Sequence, residues 1–207
     1  MIKVESVVSG PIRTNCYLIY DSDTKAALIV DPGQDGDKVI EAVNSLGLKP
    51  EMLVNTHGHF DHIFDDDKIR KKFNIPLAVY KDEAYMLADP NKNASAFFEE
   101  PVSITNPEIL LEDNQIVKLS FTEFKVIHTP GHTKGGICLL FDKFLITGDT
   151  LFKGEVGRTD LEDGSYQTLM QSLEKLKSLD PSLIIYPGHE EYTDLDYELK
   201  HNPYLKK

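Results

Sequence analysis

The chain has 207 residues, with 22 Lys and Arg against 34 Asp and Glu, for a formal net charge of −12. At 41% hydrophobic and 27% charged residues, the composition is globular and large enough to bury a core without covalent staples. The acidic balance argues against a protein that holds nucleic acid by bulk charge. No apolar run reaches the ~18 residues of a membrane-spanning helix.

In chain order, residues 16–32 read as two short strands around the turn Asp21-Ser22-Asp23, with Leu18, Tyr20, Ala27, Leu28, Ile29 and Val30 as their apolar residues. Residues 37–46 place Val39, Ile40, Ala42, Val43 and Leu46 on one helical face, and Gly47 ends that helix. Residues 51–55 form a strand that runs straight into His57, residues 61–73 a single helix, and residues 77–80 a buried strand after Pro76. A short helix at 82–87 leads into 89–107, polar and broken by Pro90, Pro101 and Pro107, which is expected to be a long surface excursion that shapes a site. Further strands are expected at 115–119, 122–128, 136–141 and 143–147. A helix follows at 166–179 with Leu169, Met170, Leu173, Leu176 and Leu179 as its core face, then a strand at 182–186 and a closing helix at 194–201. Two strand-rich halves, each punctuated by helices, predict an α/β architecture of two packed sheets with helices outside.

Five of the seven histidines fall in motifs. The run Thr56-His57-Gly58-His59-Phe60-Asp61-His62 holds three of them and one carboxylate. His57 and His59 are two apart, so an extended backbone points both the same way, while Asp61 and His62 sit on the turn into the next element. One tetrahedral ion cannot easily use all four, whereas two adjacent ions can, and imidazole with carboxylate suits zinc, iron or manganese. His132 (in Thr-Pro-Gly-His-Thr), Asp149 (in Thr-Gly-Asp-Thr) and His189 (in Tyr-Pro-Gly-His) each follow a glycine near the end of an expected strand, where the backbone can turn sharply and present the side chain. His128 is expected to support the site without ligating, and His201 to be a surface or packing residue. Cys16 and Cys138 are expected as buried small hydrophobes. Asp65-Asp66-Asp67 reads as the solvated face and first turn of a helix.

The motifs THxHxDH, PGHT, GDT and PGHE, in this order and at these separations, resemble the metallo-β-lactamase-fold hydrolases from about Thr14 to Leu205. Within that superfamily, the stretch from Gly148 to Asp160 and the terminal Asn202-Pro203-Tyr204-Leu205 resemble the short, single-domain bacterial glyoxalase II-like group. The resemblance implies a four-layer αββα sandwich. It implies one divalent metal ion on His57, His59 and His132, a second on Asp61, His62 and His189, and Asp149 bridging both. Zinc is the first expectation, with iron or manganese as alternatives. It further implies a metal-bridging hydroxide that attacks the carbonyl of a small-molecule acyl thioester such as S-lactoylglutathione, with Asp61 orienting that hydroxide.

Lys153 and Arg158, in the loop after Asp149, are candidate anchors for an anionic substrate, since a basic residue near the Arg158 position binds the glutathione moiety in two-domain glyoxalase II enzymes. An ion pair of Arg158 with Asp160 or Glu162 is the competing reading. The helical substrate domain of full-length glyoxalase II is not expected, so the catalytic domain is taken as residues 1–207. Persulfide dioxygenases share the fold and several motifs, and imply instead a single iron on His57, His132 and Asp149. With no visible secretory leader, a cytoplasmic location is expected, with neither nucleic acid nor membrane as partner.

Overall fold

The structure is a computed structural model that describes residues 1–98 and 100–206. The first sheet is built from β1 (Ile2–Ser9), β2 (Thr14–Asp21), β3 (Ala26–Val30), β4 (Lys49–Val54), β5 (Leu77–Tyr80) and β6 (Ile109–Leu111), hydrogen-bonded in that order. β1, β2 and β3 are antiparallel, and β3 to β6 run parallel. The second sheet holds β7 (Ile116–Lys118), β8 (Glu123–His128), β9 (Ile137–Leu140), β10 (Phe144–Gly148), β11 (Ile184–Pro187) and β12 (Thr193–Asp194), in the spatial order β12-β11-β10-β9-β8-β7. Only β10 and β11 pair parallel there.

The two-residue period of the strands sorts their side chains into three apolar layers. Tyr17, Ile19, Leu28, Val30 and Val54 of the first sheet face Phe124, Val126, Ile137, Leu139 and Ile146 of the second. The alternate residues Cys16, Leu18, Ile29, Leu53 and Leu77 face outward onto Val39 and Val43 of α1 (Gly36–Ser45) and Ile69. On the other side Ile127, Cys138, Leu145 and Ile185 pack on Leu173 and Leu176 of α5 (Tyr166–Lys177) and Leu195 of α6 (Leu195–His201). This is the αββα sandwich expected, and it explains why β3, covered on both faces, reads as the unbroken apolar run AALIV.

The structure departs from the sequence reading at three places. The expected helix over 61–73 is two helices, α2 (Phe60–Ile63) and α3 (Asp66–Phe73). The joint is Asp65, whose N–H donates to the Gly33 carbonyl (3.0 Å) while its carboxylate accepts from the Gly36 N–H at the start of α1 (2.7 Å). Second, Asp66 is not on a solvated face. It is fully buried, its carboxylate accepts from Asn55 Nδ2 (3.2 Å), and burial pushes its pKa well up. Third, three edge strands were not anticipated: β1, β6 and the two-residue β12. β1 is half exposed, and β6 is only three residues long. A short helix α4 (Ala84–Leu87) precedes the excursion, which carries one 3-10 turn at Ser95–Phe97; Glu99 lies outside the described residues.

Candidate metal centre

The seven candidate ligands come from both sheets and meet at one end of the sandwich. His57, His59, Asp61 and His62 follow β4. His132 follows β8, Asp149 follows β10, and His189 follows β11. Two glycines make this approach possible. Gly148 turns with φ of +48°, and a Cβ there would lie 2.4 Å from Thr56 Oγ1. A Cβ on Gly188 would lie 2.2 Å from Asp149 Oδ1, so only a bare backbone lets the His189 loop close on Asp149.

The donor atoms form two sets. In the first, His132 Nε2 lies 2.9 Å from His59 Nδ1 and 3.3 Å from His57 Nε2. In the second, Asp61 Oδ2 lies 3.5 Å from His62 Nε2 and 3.3 Å from His189 Nε2, and the two imidazole nitrogens are 3.4 Å apart. Asp149 spans them: Oδ1 is 3.4 Å from His62 Nε2, while Oδ2 is 3.5 Å from both His132 Nε2 and His189 Nε2. A tetrahedron with bonds of ~2.0–2.1 Å has edges of ~3.3–3.4 Å, so the spacing within each set suits a small divalent ion. The buried Asp149 Oδ1 has no hydrogen-bond partner, and clustered imidazole nitrogens facing one another cannot all be donors. The residues present therefore fit a metal pair, and the cluster is one for divalent metal with its identity open among zinc, iron and manganese.

The electrostatics divide along the same line. Burial, reinforced by neighbouring imidazoles, holds His57 far below its ordinary value and His59 down to about 3. Burial works against the charged forms in the second set too, but the close carboxylates outweigh it. His62 is held high by Asp61, Asp149 and Asp31, His189 is raised to about 9 chiefly by Asp149 and Asp61, and Asp61 falls to about 2 beside His62 and His189.

The far sides of His62, His132 and Asp61 are anchored. His62 Nδ1 lies 3.0 Å from Asp31 Oδ2, and Asp31 itself accepts the Thr56 N–H (2.8 Å) and hydroxyl (2.6 Å). His132 Nδ1 lies 2.7 Å from the Arg158 carbonyl oxygen, and the Thr14 hydroxyl donates to Asp61 Oδ2 (2.9 Å). Such partners fix ring orientation and tautomer at metal sites. Glu83 binds the two ligand loops together: fully buried, it accepts the Gly58 N–H between His57 and His59 (2.8 Å) and the Gly135 N–H beyond His132 (2.6 Å).

A cavity of about 320 Å³ opens on the cluster, lined by His59, Asp61, His132, Asp149 and His189 and by Ile12, Phe60, Phe97, Phe98, Leu161 and Arg158. A second cavity of about 300 Å³ shares Ile12, Asp149, Arg158 and His189 and continues past Phe152, Glu155 and Glu190. Arg158 holds Asp160 through two bonds of 2.7 and 2.8 Å, the ion-pair reading, and it also stands at the junction of the cavities. Lys153 pairs with Glu191 at 2.6 Å and is absent from either lining among the described residues. His128 does not join the donor sets: its ring stacks on Tyr80 and its Nε2 meets the Lys134 carbonyl at 2.9 Å. His201 is exposed, and both cysteines are buried and free.

The sequence reading assigned no part to Asp31, Thr14, Glu83 or the apolar rim residues. Asp31 had a local signal, a polar residue closing an apolar strand just before Pro32, and it adopts φ of +50°. Glu83 had none, since its partners are backbone N–H groups 25 and 52 residues away.

The family model described as the metallo-beta-lactamase superfamily matches residues 9–189. A Haemophilus influenzae protein named hydroxyacylglutathione hydrolase GloC is 32% identical over 209 residues, covering 99% of this chain and 98% of that one. The crystal structure of BLEG-1 B3 metallo-beta-lactamase superposes with a TM-score of 0.95 at 34% identity, covering 99% of this chain and 100% of that chain. TTHA1623 in a di-iron-bound form gives 0.84 at 30% identity, covering 97% and 100%. ETHE1 from Myxococcus xanthus gives 0.82 at 27%, covering 97% and 83%. Among the described residues no helix is long and apolar enough to cross a membrane.

Proposed function

The chain belongs to the metallo-beta-lactamase superfamily, and from that premise we propose that this metal-dependent hydrolase cleaves acyl thioesters, S-lactoylglutathione or a related compound among them. The observation that carries the reading is the double donor set joined by Asp149 at the floor of a substrate-sized cavity. The full-length likeness to a relative named hydroxyacylglutathione hydrolase supports it.

Water supplies an oxygen to the thioester carbonyl carbon, the C–S bond breaks, and the products are a carboxylate, a thiol and one released proton. Two divalent ions on these residues would supply Lewis acidity at the carbonyl and lower the pKa of water to near neutrality. His57, His59 and His132 would hold one ion, Asp61, His62 and His189 the other, and Asp149 both. Asp61 faces the cavity, so its carboxylate is placed to orient the attacking water, with the Thr14 hydroxyl fixing its rotamer (2.9 Å). Arg158 is the anchor for an anionic group on the substrate, exchanging Asp160 for it. Lys153, held by Glu191 and outside both linings, is given no substrate contact in this reading.

The test is metal analysis and two assays on one preparation. About two ions per chain with thioester hydrolysis supports the proposal. One iron per chain with oxygen consumption on glutathione persulfide, and no hydrolysis, overturns it in favour of the dioxygenase reading. Arg158→Ala should raise KM several-fold with little change in kcat, the pattern of lost uniform binding. An unchanged KM removes the anchor.

A further inference from the structure

The cavity wall leading away from the metal cluster is apolar, and its most prominent residues are left largely exposed. Phe97 is 80% exposed, Phe98 50% and Ile12 41%. With Phe60 and Leu161 they line the same cavity as His59, Asp61, His132, Asp149 and His189. Large apolar side chains scattered singly on a surface need no explanation, but several converging on one catalytic floor do.

The arrangement is built. The Phe60 N–H donates to the Asn93 carbonyl (2.9 Å), tying the excursion to the first residue of α2. The buried Asn93 side chain donates to the Val102 carbonyl (3.0 Å), and the Val102 N–H donates to Ser95 Oγ (2.8 Å). These bonds close the excursion on itself and place the 3-10 turn that presents Phe97. Phe98 packs on Phe60 with ring centroids 4.3 Å apart. On the opposite bank, Lys92 pairs with Glu162 and Tyr85 with Asp163, joining this region to the segment that carries Leu161.

From this wall we propose that the arm walled by Ile12, Phe60, Phe97, Phe98 and Leu161 is a subsite for an apolar acyl group, so that the preferred substrates are thioesters of aliphatic or aromatic acids and not of small hydroxy acids. This rests on the thioester-hydrolase reading above. The scissile carbonyl must lie at the metal cluster, and two cavities diverge from it, sharing Ile12, Asp149, Arg158 and His189. The thiol carrier takes the second cavity, whose wall adds Glu155 and Glu190 to Ile12 and Phe152, so that amide N–H and ammonium groups meet carboxylate acceptors and Arg158 is in reach of a carboxylate. Peptide amides or hydroxyls laid against phenyl rings would lose their water without gaining partners. An alkyl or phenyl group gains burial instead. The whole cavity, metal-cluster floor included, is about 320 Å³, at the low end of small-molecule sites, which leaves the arm room for one acyl group.

The experiment varies one half of the substrate at a time on the metal-loaded full-length chain. Acetyl, lactoyl, butyryl, hexanoyl and phenylacetyl thioesters of glutathione are compared, then the hexanoyl thioester of N-acetylcysteamine. The expected result is a rise in kcat/KM of about tenfold or more from acetyl to hexanoyl or phenylacetyl, with lactoyl near acetyl. S-hexylglutathione, which cannot be hydrolysed, should inhibit competitively and more tightly than S-methylglutathione. The paired Phe97→Ala and Phe98→Ala substitution should bring both ratios toward one. Hydrolysis with a flat or lactoyl-favouring profile overturns the subsite while leaving the hydrolase reading standing, as does a double variant with undiminished ratios. No turnover of any thioester overturns both.

Discussion

Asp149 is the residue on which the proposed two-metal arrangement turns, because its two oxygens approach His62, His132 and His189 together. Asp149→Ala is expected to lower bound metal from about two ions per chain to one or fewer, and kcat by about a hundredfold or more. Near-normal metal content in that variant would break the shared-ligand assignment. Glu83 makes a prediction of a different kind. Burial, only partly offset by the Gly58 and Gly135 N–H groups, raises its pKa from 4.5 to about 7. Between those values the folded state binds a proton that the unfolded state releases, so this group's contribution to stability falls as pH rises through the window and is constant above it. The change is about 3 kcal/mol by linkage. Urea unfolding of wild type and Glu83→Gln at pH 5 and 7.5 should show their difference in stability shifting by that order, and a pH-independent difference refutes it. Candidate ligands such as His57 and His132 were legible because metal chemistry needs particular side chains at particular spacings. Glu83 was not, because a carboxylate that serves backbone amides leaves no pattern around itself.

At the scale of elements, the closing helix has a function beyond covering the second sheet. Glu198 of α6 is fully buried and accepts from the Thr193 hydroxyl (2.7 Å), the Gly154 N–H (2.9 Å) and Asn202 Nδ2 (2.8 Å). Asn202 Nδ2 also reaches the Glu155 carbonyl at 3.1 Å. The C-terminal segment thus fixes the 152–158 loop, whose Arg158 carbonyl orients His132 and whose side chains line the second cavity. Asn202→Ala is expected to destabilise the fold by about 1–3 kcal/mol, the loss of a buried satisfied amide, and to raise KM through the loosened loop. Denaturant midpoint and KM measured together check this, and an unchanged KM would show that the helix only covers the core. Most elements were legible because a strand or helix buried on one or both faces must repeat its apolar residues at its own period. The failures have the same physical root. β1 and β6 lie at sheet edges with weak patterns, and the break between α2 and α3 depends on Asp65 contacting Gly33 and Gly36, some thirty residues earlier.

For the whole molecule, the placement of the candidate donors predicts that metal binding and folding are coupled. The donors are drawn from both sheets, and the His189 loop is held to the first sheet by Asn15 and Tyr17: the Asn15 N–H donates to the Gly188 carbonyl (2.7 Å) and the Tyr17 hydroxyl to the Pro187 carbonyl (2.7 Å). Ions bound at this seam stabilise the folded state alone, by about 2.7 kcal/mol when free metal is a hundred times its dissociation constant. Chelation is therefore expected to lower Tm by roughly 5–10 °C in a chain of this size, reversed by adding metal back. Calorimetry with and without a chelator measures it, and an unchanged Tm would mean that the two halves close without the ions.

The sequence alone determined the layered architecture, the family and the seven His and Asp side chains that meet in one cluster, because periodicity and the spacing of such side chains are properties of neighbours along the chain. Only the tertiary structure decided what surrounds the donors. It placed Glu83 between two ligand loops, buried Asp66, committed Arg158 to Asp160, and brought Ile12 from one end of the chain beside Phe97, Phe98 and Leu161. Those contacts join segments distant in sequence, and no local rule of residue choice encodes which distant surface a side chain will meet.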